Sequence, residues 1–388
     1  MLAKLSKQDY IPLSIYVHIP WCIHKCPYCD FNSHEFQEQN IKKNELIYTN
    51  ALIKQLENTN IFHQRPIHSI FFGGGTPSLF SPATFKKIIT KINNIFGLEN
   101  NCEITIEANP GTLDNQYFLG YKDIGINRMS LGIQSFNNKH LKKLERIHNQ
   151  LEAIESANLA AKLFDKVNID LMFGLPGQTK LELDNDITMA LEIDSSHISY
   201  YHLTIEPNTF FHKHPPKIPN QDESAELFDL VNTKLKRNNF LHYETSAYAK
   251  KDSKCQHNLN YWNFGDYLGL GAGAHSKITT EESIVRYACH KNPKYYISEV
   301  NKNNYINEKQ LLTTNDRIFE FMMNSLRLND GFQINSFEER TNLPIKEIEK
   351  ELSTAKNKKL IKEINGRIKP TILGQKFLNE LLQIFLRD

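Results

Sequence analysis

Over its first 203 residues the chain alternates short β-branched or aromatic runs with longer amphipathic stretches, and this alternation limits the fold more than any other feature. The strand-like runs are 13–19, 68–72, 103–107, 128–133, 167–172 and 197–203; stretches with helical spacing of apolar residues lie at 42–57, 82–95, 151–164 and 179–193. Parallel neighbours need a crossover, nearly always right-handed, so strands followed by helices predict a parallel sheet. The expected fold class is α/β, either a doubly wound sheet or a whole or partial barrel. Glycine-rich and polar punctuation follows the strands: Gly73-Gly74-Gly75-Thr76-Pro77, Asn109-Pro110-Gly111, Gln134-Ser135 and Gly174-Leu175-Pro176-Gly177. Strand C-terminal ends converge on one mouth of such a fold, so a single active face is expected there.

Beyond this region the pattern changes. A helical stretch at 223–237 precedes a strand-like run at 242–248 and a loop-like region, 255–276, rich in Gly and aromatics. The tail has helical patterns at 315–328 and 345–356. Two short runs, 360–364 and 367–371, flank Asn365-Gly366, the dipeptide favoured in type I′ hairpins. Helices plus a hairpin predict a winged-helix-like module. Its lysines, from Lys346 to Lys362, are interleaved with Glu347, Glu349, Glu351 and Glu363, which reads as a solvated face rather than a nucleic-acid footprint. The whole chain has 46 Lys plus Arg against 44 Asp plus Glu, so no nucleic-acid partner is expected from its charge. No apolar run reaches the roughly 18 residues of a membrane span. Residues 1–12 lack the apolar core of a signal peptide, and a cytoplasmic location is expected.

Three of the six cysteines, Cys22, Cys26 and Cys29, fall within eight residues; Cys102, Cys255 and Cys289 are scattered and read as ordinary buried thiols. In a reducing compartment such a triplet holds a metal rather than forming crosslinks. Three thiolates with gaps of three and two residues can wrap one face of an iron-sulfur cubane, leaving one iron with an open coordination position. A closed zinc site completed by His18, His24 or His34 is the other reading that the spacing allows.

The Cys-x3-Cys-x2-Cys triplet, with Tyr28 before its last cysteine, resembles the signature of the radical S-adenosylmethionine (SAM) superfamily. Four further segments are similar to the oxygen-independent coproporphyrinogen III oxidase family: Tyr16-x-His18-Ile19-Pro20-Trp21-Cys22, Phe72-Gly73-Gly74-Gly75-Thr76-Pro77-Ser78, Glu107-Ala108-Asn109-Pro110 and Asp170-Leu171-Met172-Phe173-Gly174-Leu175-Pro176-Gly177. The resemblance runs across nearly the whole chain. It implies a partial (β/α)6 TIM-like radical SAM barrel over 1–240, a connecting segment over 241–305 and a C-terminal winged-helix-like domain over 306–388. It also implies a [4Fe-4S] cluster on Cys22, Cys26 and Cys29, with SAM on the open iron. Gly74, Gly75 and Thr76 would meet the methionine end of the cofactor, and Tyr16, Tyr28, Glu107, Gln134, Arg146 and Asp170 would surround it. A buried carboxylate without a partner is costly, which makes a ligand an economical explanation for Glu107 and Asp170.

The oxidases carry a fourth cysteine two residues after the triplet, where this chain has Phe31, and an N-terminal extension before it. These departures match the heme chaperone subfamily of that family, whose members carry a His-Asn-x-x-Tyr-Trp motif, here His257-Asn258-Leu259-Asn260-Tyr261-Trp262. The resemblance therefore implies a protein that binds heme, with His257 as the iron ligand, and passes it to an acceptor protein, including one reached by peripheral contact with a membrane. The alternative is an enzyme that decarboxylates porphyrinogen propionates by radical chemistry.

Overall fold

The structure is a computed structural model, and it describes residues 11–35, 41–59 and 65–387. The segment 1–10, which carries most of the signal-peptide reading, lies outside the described residues. Six parallel strands are joined by helices on one side: β1 (Leu13–Ile19), β2 (Ile67–Gly74), β3 (Leu98–Ala108), β4 (Arg128–Gln134), β5 (Lys166–Phe173) and β6 (His197–His202). The longer crossover helices are α1 (Ile41–Asn58), α2 (Pro82–Phe96), α3 (Gln150–Leu163) and α4 (Lys180–Glu192), and α5 (Gln221–Arg237) follows β6. All six predicted strands and these helices are present, displaced by a few residues at their ends.

Strand residues split cleanly by face. In β1, Leu13, Ile15, Val17 and Ile19 join Tyr48, Leu52 and Leu56 of α1 in the main apolar core. The alternate residues Ser14, Tyr16 and His18 turn the other way, in register with Ser69, Phe71 and Gly73 of β2. The same alternation places Thr105 and Glu107, Arg128 and Ser130, Asn168 and Asp170, and His197 and Ser199 on the inner face. An interior lined this way is too polar to be a packed barrel core of Val, Ile and Leu. It is built as a cavity.

The segment 241–305 is woven into this sheet. β7 (Leu241–Glu244) and β8 (Ala247–Ala249) form an antiparallel hairpin on the edge of β6, where the sequence predicts one strand. The region 255–276, predicted as loop, contains α6 (Gln256–Trp262) and β9 (Asp266–Leu270), and β9 pairs parallel with β1. This is a correction with a plain cause. β9 reads Asp-Tyr-Leu-Gly-Leu, with no β-branched residue, and its partner lies some 250 residues earlier in the chain. β10 (His275–Thr279), β11 (Ile284–Cys289) and β12 (Ile306–Leu311) continue the sheet antiparallel, giving the order β12-β11-β10-β9-β1-β2-β3-β4-β5-β6-β8-β7. The order has two free ends, so the barrel is partial.

The tail carries α7 (Thr314–Ser325), α8 (Ile334–Thr341), α9 (Glu349–Asn357) and a three-stranded sheet of β13 (Phe332–Gln333), β14 (Ile361–Ile364) and β15 (Arg367–Pro370). Asn365 and Gly366 have φ of 51° and 70°, the left-handed pair that a type I′ turn demands. The tail's own apolar core includes Phe264 and Ile284 of the main body, which anchor it there. Among the described residues no helix is long and apolar enough to cross a membrane.

The new parallel strand is fastened by a buried charge network. Asp266 accepts hydrogen bonds from Arg65 Nη2 at 2.9 Å, Lys277 Nζ at 2.9 Å, Thr279 N at 3.0 Å and Thr279 Oγ1 at 2.7 Å. All three charged side chains are nearly free of solvent. Removing one partner leaves an uncompensated buried charge, so Asp266→Ala should cost about 3–5 kcal/mol. Urea unfolding of the variant beside the wild type measures this, and a loss under about 1 kcal/mol would show the network to be dispensable.

Candidate functional site

The site begins where β1 ends. Trp21 and Cys22 pair with His34 and Glu35 as a two-residue parallel ladder that brackets the cysteine loop. Inside the loop Cys29 N donates to Cys26 O at 3.1 Å, and Lys25 Nζ donates to the carbonyls of Phe31 and Ser33. Trp21 is buried, edge-on to Tyr48 at 4.8 Å between ring centres. Two backbone bonds then fix the loop to the glycine turn after β2: Gly75 N to Ile19 O and Thr76 N to Trp21 O, each 2.7 Å. The approach is so close that a Cβ on Gly75 would stand 2.4 Å from Trp21 O, while Gly74 has φ of +117°. Only glycine fits there.

The Gly74 N–H donates to Glu107 Oε2 at 3.1 Å, which ties the end of β3 to the turn. Asn109, just beyond β3, donates to Thr76 Oγ1 at 2.9 Å and accepts from Arg146 Nη2 at 2.5 Å. Arg146 also donates to Gly132 O at 2.7 Å and lies 3.5 Å from Cys26 Sγ through Nη1. Gln134 ends β4 with φ of +70°, a conformation uncommon for a residue with a Cβ, and it points into the same space. Asp170 accepts from Ser130 Oγ and Asn168 Nδ2, both at 2.8 Å. Tyr16 bonds His18 Nδ1 through its hydroxyl at 3.1 Å, and Tyr28 packs toward Phe211.

Every site residue predicted from the sequence lines one cavity of ≈ 1200 Å³ at the C-terminal ends of the strands. The predicted cofactor neighbours and the three cysteines gather around its upper part. Sequence reasoning missed Asn109, Ser130 and Asn168 as supports; the period-two alternation along β4 and β5 was the available signal for the latter two.

His257 stands apart. Its Nδ1 bonds Ser69 Oγ at 2.8 Å, near the start of β2, and its ring stacks on Phe71 at 5.0 Å with the edge of Tyr261 at 5.0 Å. The side chain is 1% exposed, and Nε2 is buried with no hydrogen-bond partner. In this conformation no macrocycle reaches that imidazole. Other residues of the motif are structural: Asn260 donates to Ser14 Oγ and Asp266 O, and Trp262 stacks under Arg327 at 4.4 Å.

The cysteines are free thiols, each partly exposed toward the cavity. Burial pushes the Cys22 and Cys29 thiols up, which favours their protonated form, and binding to a metal would displace those protons. Among the described residues no three His, Cys, Asp or Glu side chains converge on a point that would hold a single ion. His24, offered for a zinc site, is taken by Glu35 at 3.3 Å and Glu145 at 3.2 Å. Three free thiols on one loop facing the cavity are the donor type that holds iron-sulfur clusters.

Among the described residues no ion pair reaches Glu107 or Asp170, and the one positive charge acting on Asp170 is Arg128. Glu107 is pushed up to about 8, first by burial and then by Asp170, with the Gly74 N–H pulling it down. Asp170 is raised as well, chiefly by burial. Buried acceptors beside the cysteine loop and the glycine turn fit a ligand that carries positive charge.

Residues 16–190 match the profile described as Radical SAM superfamily, and residues 312–377 match the HemN C-terminal domain. The chain is 44% identical to the heme chaperone HemW of Haemophilus influenzae over 97% of this chain and 98% of that one. It is 40% identical to the heme chaperone HemW of Escherichia coli over 97% and 99%. Among solved structures it is similar to the coproporphyrinogen III oxidase HemN of Escherichia coli, with a TM-score of 0.82 and 22% identity over 98% of this chain and 91% of that one. At that identity the likeness concerns the fold alone.

The raised Glu107 gives a signed expectation. Its folded pKa lies above the unfolded value of about 4.3, so its contribution to stability is fully present below that pH and is lost as pH rises through about 8. Without ligand, wild-type stability should fall between about pH 5 and about pH 9, and Glu107→Gln should flatten that slope. Denaturant titrations of both proteins at the two pH values measure it; equal slopes would refute the assignment.

Proposed function

The chain belongs to the radical SAM superfamily and, within its coproporphyrinogen III oxidase-like family, to the HemW subfamily, and from that premise we propose that it binds heme and transfers it to an acceptor protein. The observation that carries this reading is that the whole chain, tail included, is similar to proteins named heme chaperone, with the cysteine cavity intact. Membership implies a [4Fe-4S] cluster and SAM. When bound, the cluster supplies a redox-active iron with an open position for the cofactor's amino and carboxylate groups.

This chain's residues would divide the work as follows. Cys22, Cys26 and Cys29 hold the cluster, and Arg146 keeps a fixed positive charge beside Cys26 without giving up its bonds to Asn109 and Gly132. Gly74, Gly75 and Thr76 bring bare backbone against the methionine end of SAM. Glu107 and Asp170 are the acceptors for its positive groups, held in place by Gly74 N–H, Ser130 and Asn168. Gln134, Tyr16 and Tyr28 line the remaining wall. The acceptor is a protein met at the surface, and peripheral contact with a membrane-bound acceptor is compatible with a chain that has no spanning helix among its described residues.

The decarboxylase reading shares the fold but not the cysteine pattern: Phe31 stands where the oxidases have their fourth cysteine. Anaerobically reconstituted protein should bind heme saturably and deliver it to a heme-requiring apoprotein, while coproporphyrinogen III with SAM and a strong reductant should yield no protoporphyrinogen. Soret spectra of the acceptor and chromatography of the porphyrins test this. Stoichiometric protoporphyrinogen with 5′-deoxyadenosine would overturn the chaperone reading.

A further inference from the structure

The cavity of ≈ 1200 Å³ exceeds the about 300–1,000 Å³ of a site for one drug-sized ligand. Its upper wall suits the cluster and SAM, and its outer rim has groups that this assignment leaves unused. Seven histidines face the cavity, and six of them are committed. His18 uses Nε2 on Asn32 O and Nδ1 on the Tyr16 hydroxyl. His24 bridges two glutamates, and His197 bridges Asn168 and Tyr243. His202 bonds Ser224 Oγ and lies against Phe173; His34 is held by the Lys291 backbone and its Nε2 is sealed; the Nε2 of His257 is sealed as well. The seventh, His275, is exposed at the start of β10, and among the described residues neither ring nitrogen has a hydrogen-bond or ion-pair partner.

Two further rim groups have the same character. Phe31 is 59% exposed, a large apolar ring beside a polar cavity. Lys291 is exposed, with no ion pair on its ammonium among the described residues. The fold ties all three together. Asn32, next to Phe31, donates through Nδ2 to Ala272 O at 3.0 Å and Lys291 O at 2.9 Å. It seats against Gly273, where a Cβ would come within 2.5 Å of Asn32 Nδ2. The loop that carries Cys29 is thus bolted to the turn that carries His275. A free imidazole, an exposed aromatic face and an unpaired cation at one rim are the chemistry of an iron porphyrin with anionic propionates.

Building on the heme-chaperone reading, we infer that heme docks at this outer rim with His275 as its iron ligand, Phe31 against the macrocycle and Lys291 toward a propionate, rather than on the sealed His257. Cluster loading and heme binding then meet through Asn32, a positioning residue between the two.

The test is a heme titration of anaerobically reconstituted protein, followed by Soret absorbance and by the spin state of the ferric heme. His275→Ala should bind roughly tenfold or more weakly, with an altered spin state. His275→Gly should regain the wild-type spectrum when free imidazole is added. Phe31→Ala, at a position too exposed to threaten folding, should weaken binding in the same direction, and retained visible absorption of the cluster certifies each variant. Wild-type affinity and spectrum in His275→Ala, with the loss appearing in His257→Ala instead, would overturn the inference and leave the chaperone reading standing. Absence of saturable heme binding in the wild type would remove the chaperone reading itself.

Discussion

Two backbone hydrogen bonds, Gly75 N to Ile19 O and Thr76 N to Trp21 O, hold the arrangement together, because they join the cysteine loop leaving β1 to the glycine turn leaving β2. Gly74 needs its positive φ and Gly75 its missing Cβ for that approach, so these two glycines are a steric requirement before they are a ligand site. Once the loop and turn are locked, Gly74 N–H reaches Glu107 and Thr76 reaches Asn109, which in turn fixes Arg146 beside Cys26. The upper site is a chain of positions, each set by the one before.

The same architecture accounts for the electrostatics. Helices cover the outer face of the parallel strands with apolar contacts, so the polar alternate residues have nowhere to go but inward. Burial there raises Glu107 and Asp170. Their hydrogen-bond partners are neutral amides and hydroxyls, and the charge of Arg128 offsets the burial of Asp170 only in part. A group bound among them that carries positive charge relieves a cost that the fold has already incurred.

Much of the fold was legible in local pattern. The six strands and the helices between them follow from runs of β-branched and aromatic residues set against 3.6-residue spacing, and Asn365-Gly366 announced its turn. β9 and α6 were not legible, because a five-residue strand with a glycine inside it and a seven-residue helix with mixed polarity give no usable period. His257 shows the same limit in the site. The motif marked it, yet only the packing of Phe71, Tyr261 and Ser69 reveals that its imidazole is sealed.

By itself the sequence determined the parallel α/β class, since strand alternation and helical spacing are local properties of the chain, and its motifs determined the family and, through it, part of the cavity wall. Tertiary structure decided what could not be local. The pairing of β9 with β1, the buried Asp266 network that fastens it, and the difference between a committed histidine and a free one all depend on contacts between residues far apart in the chain. A ring nitrogen's availability is a matter of which neighbours surround it, and no spacing in the sequence states that for His257 or His275.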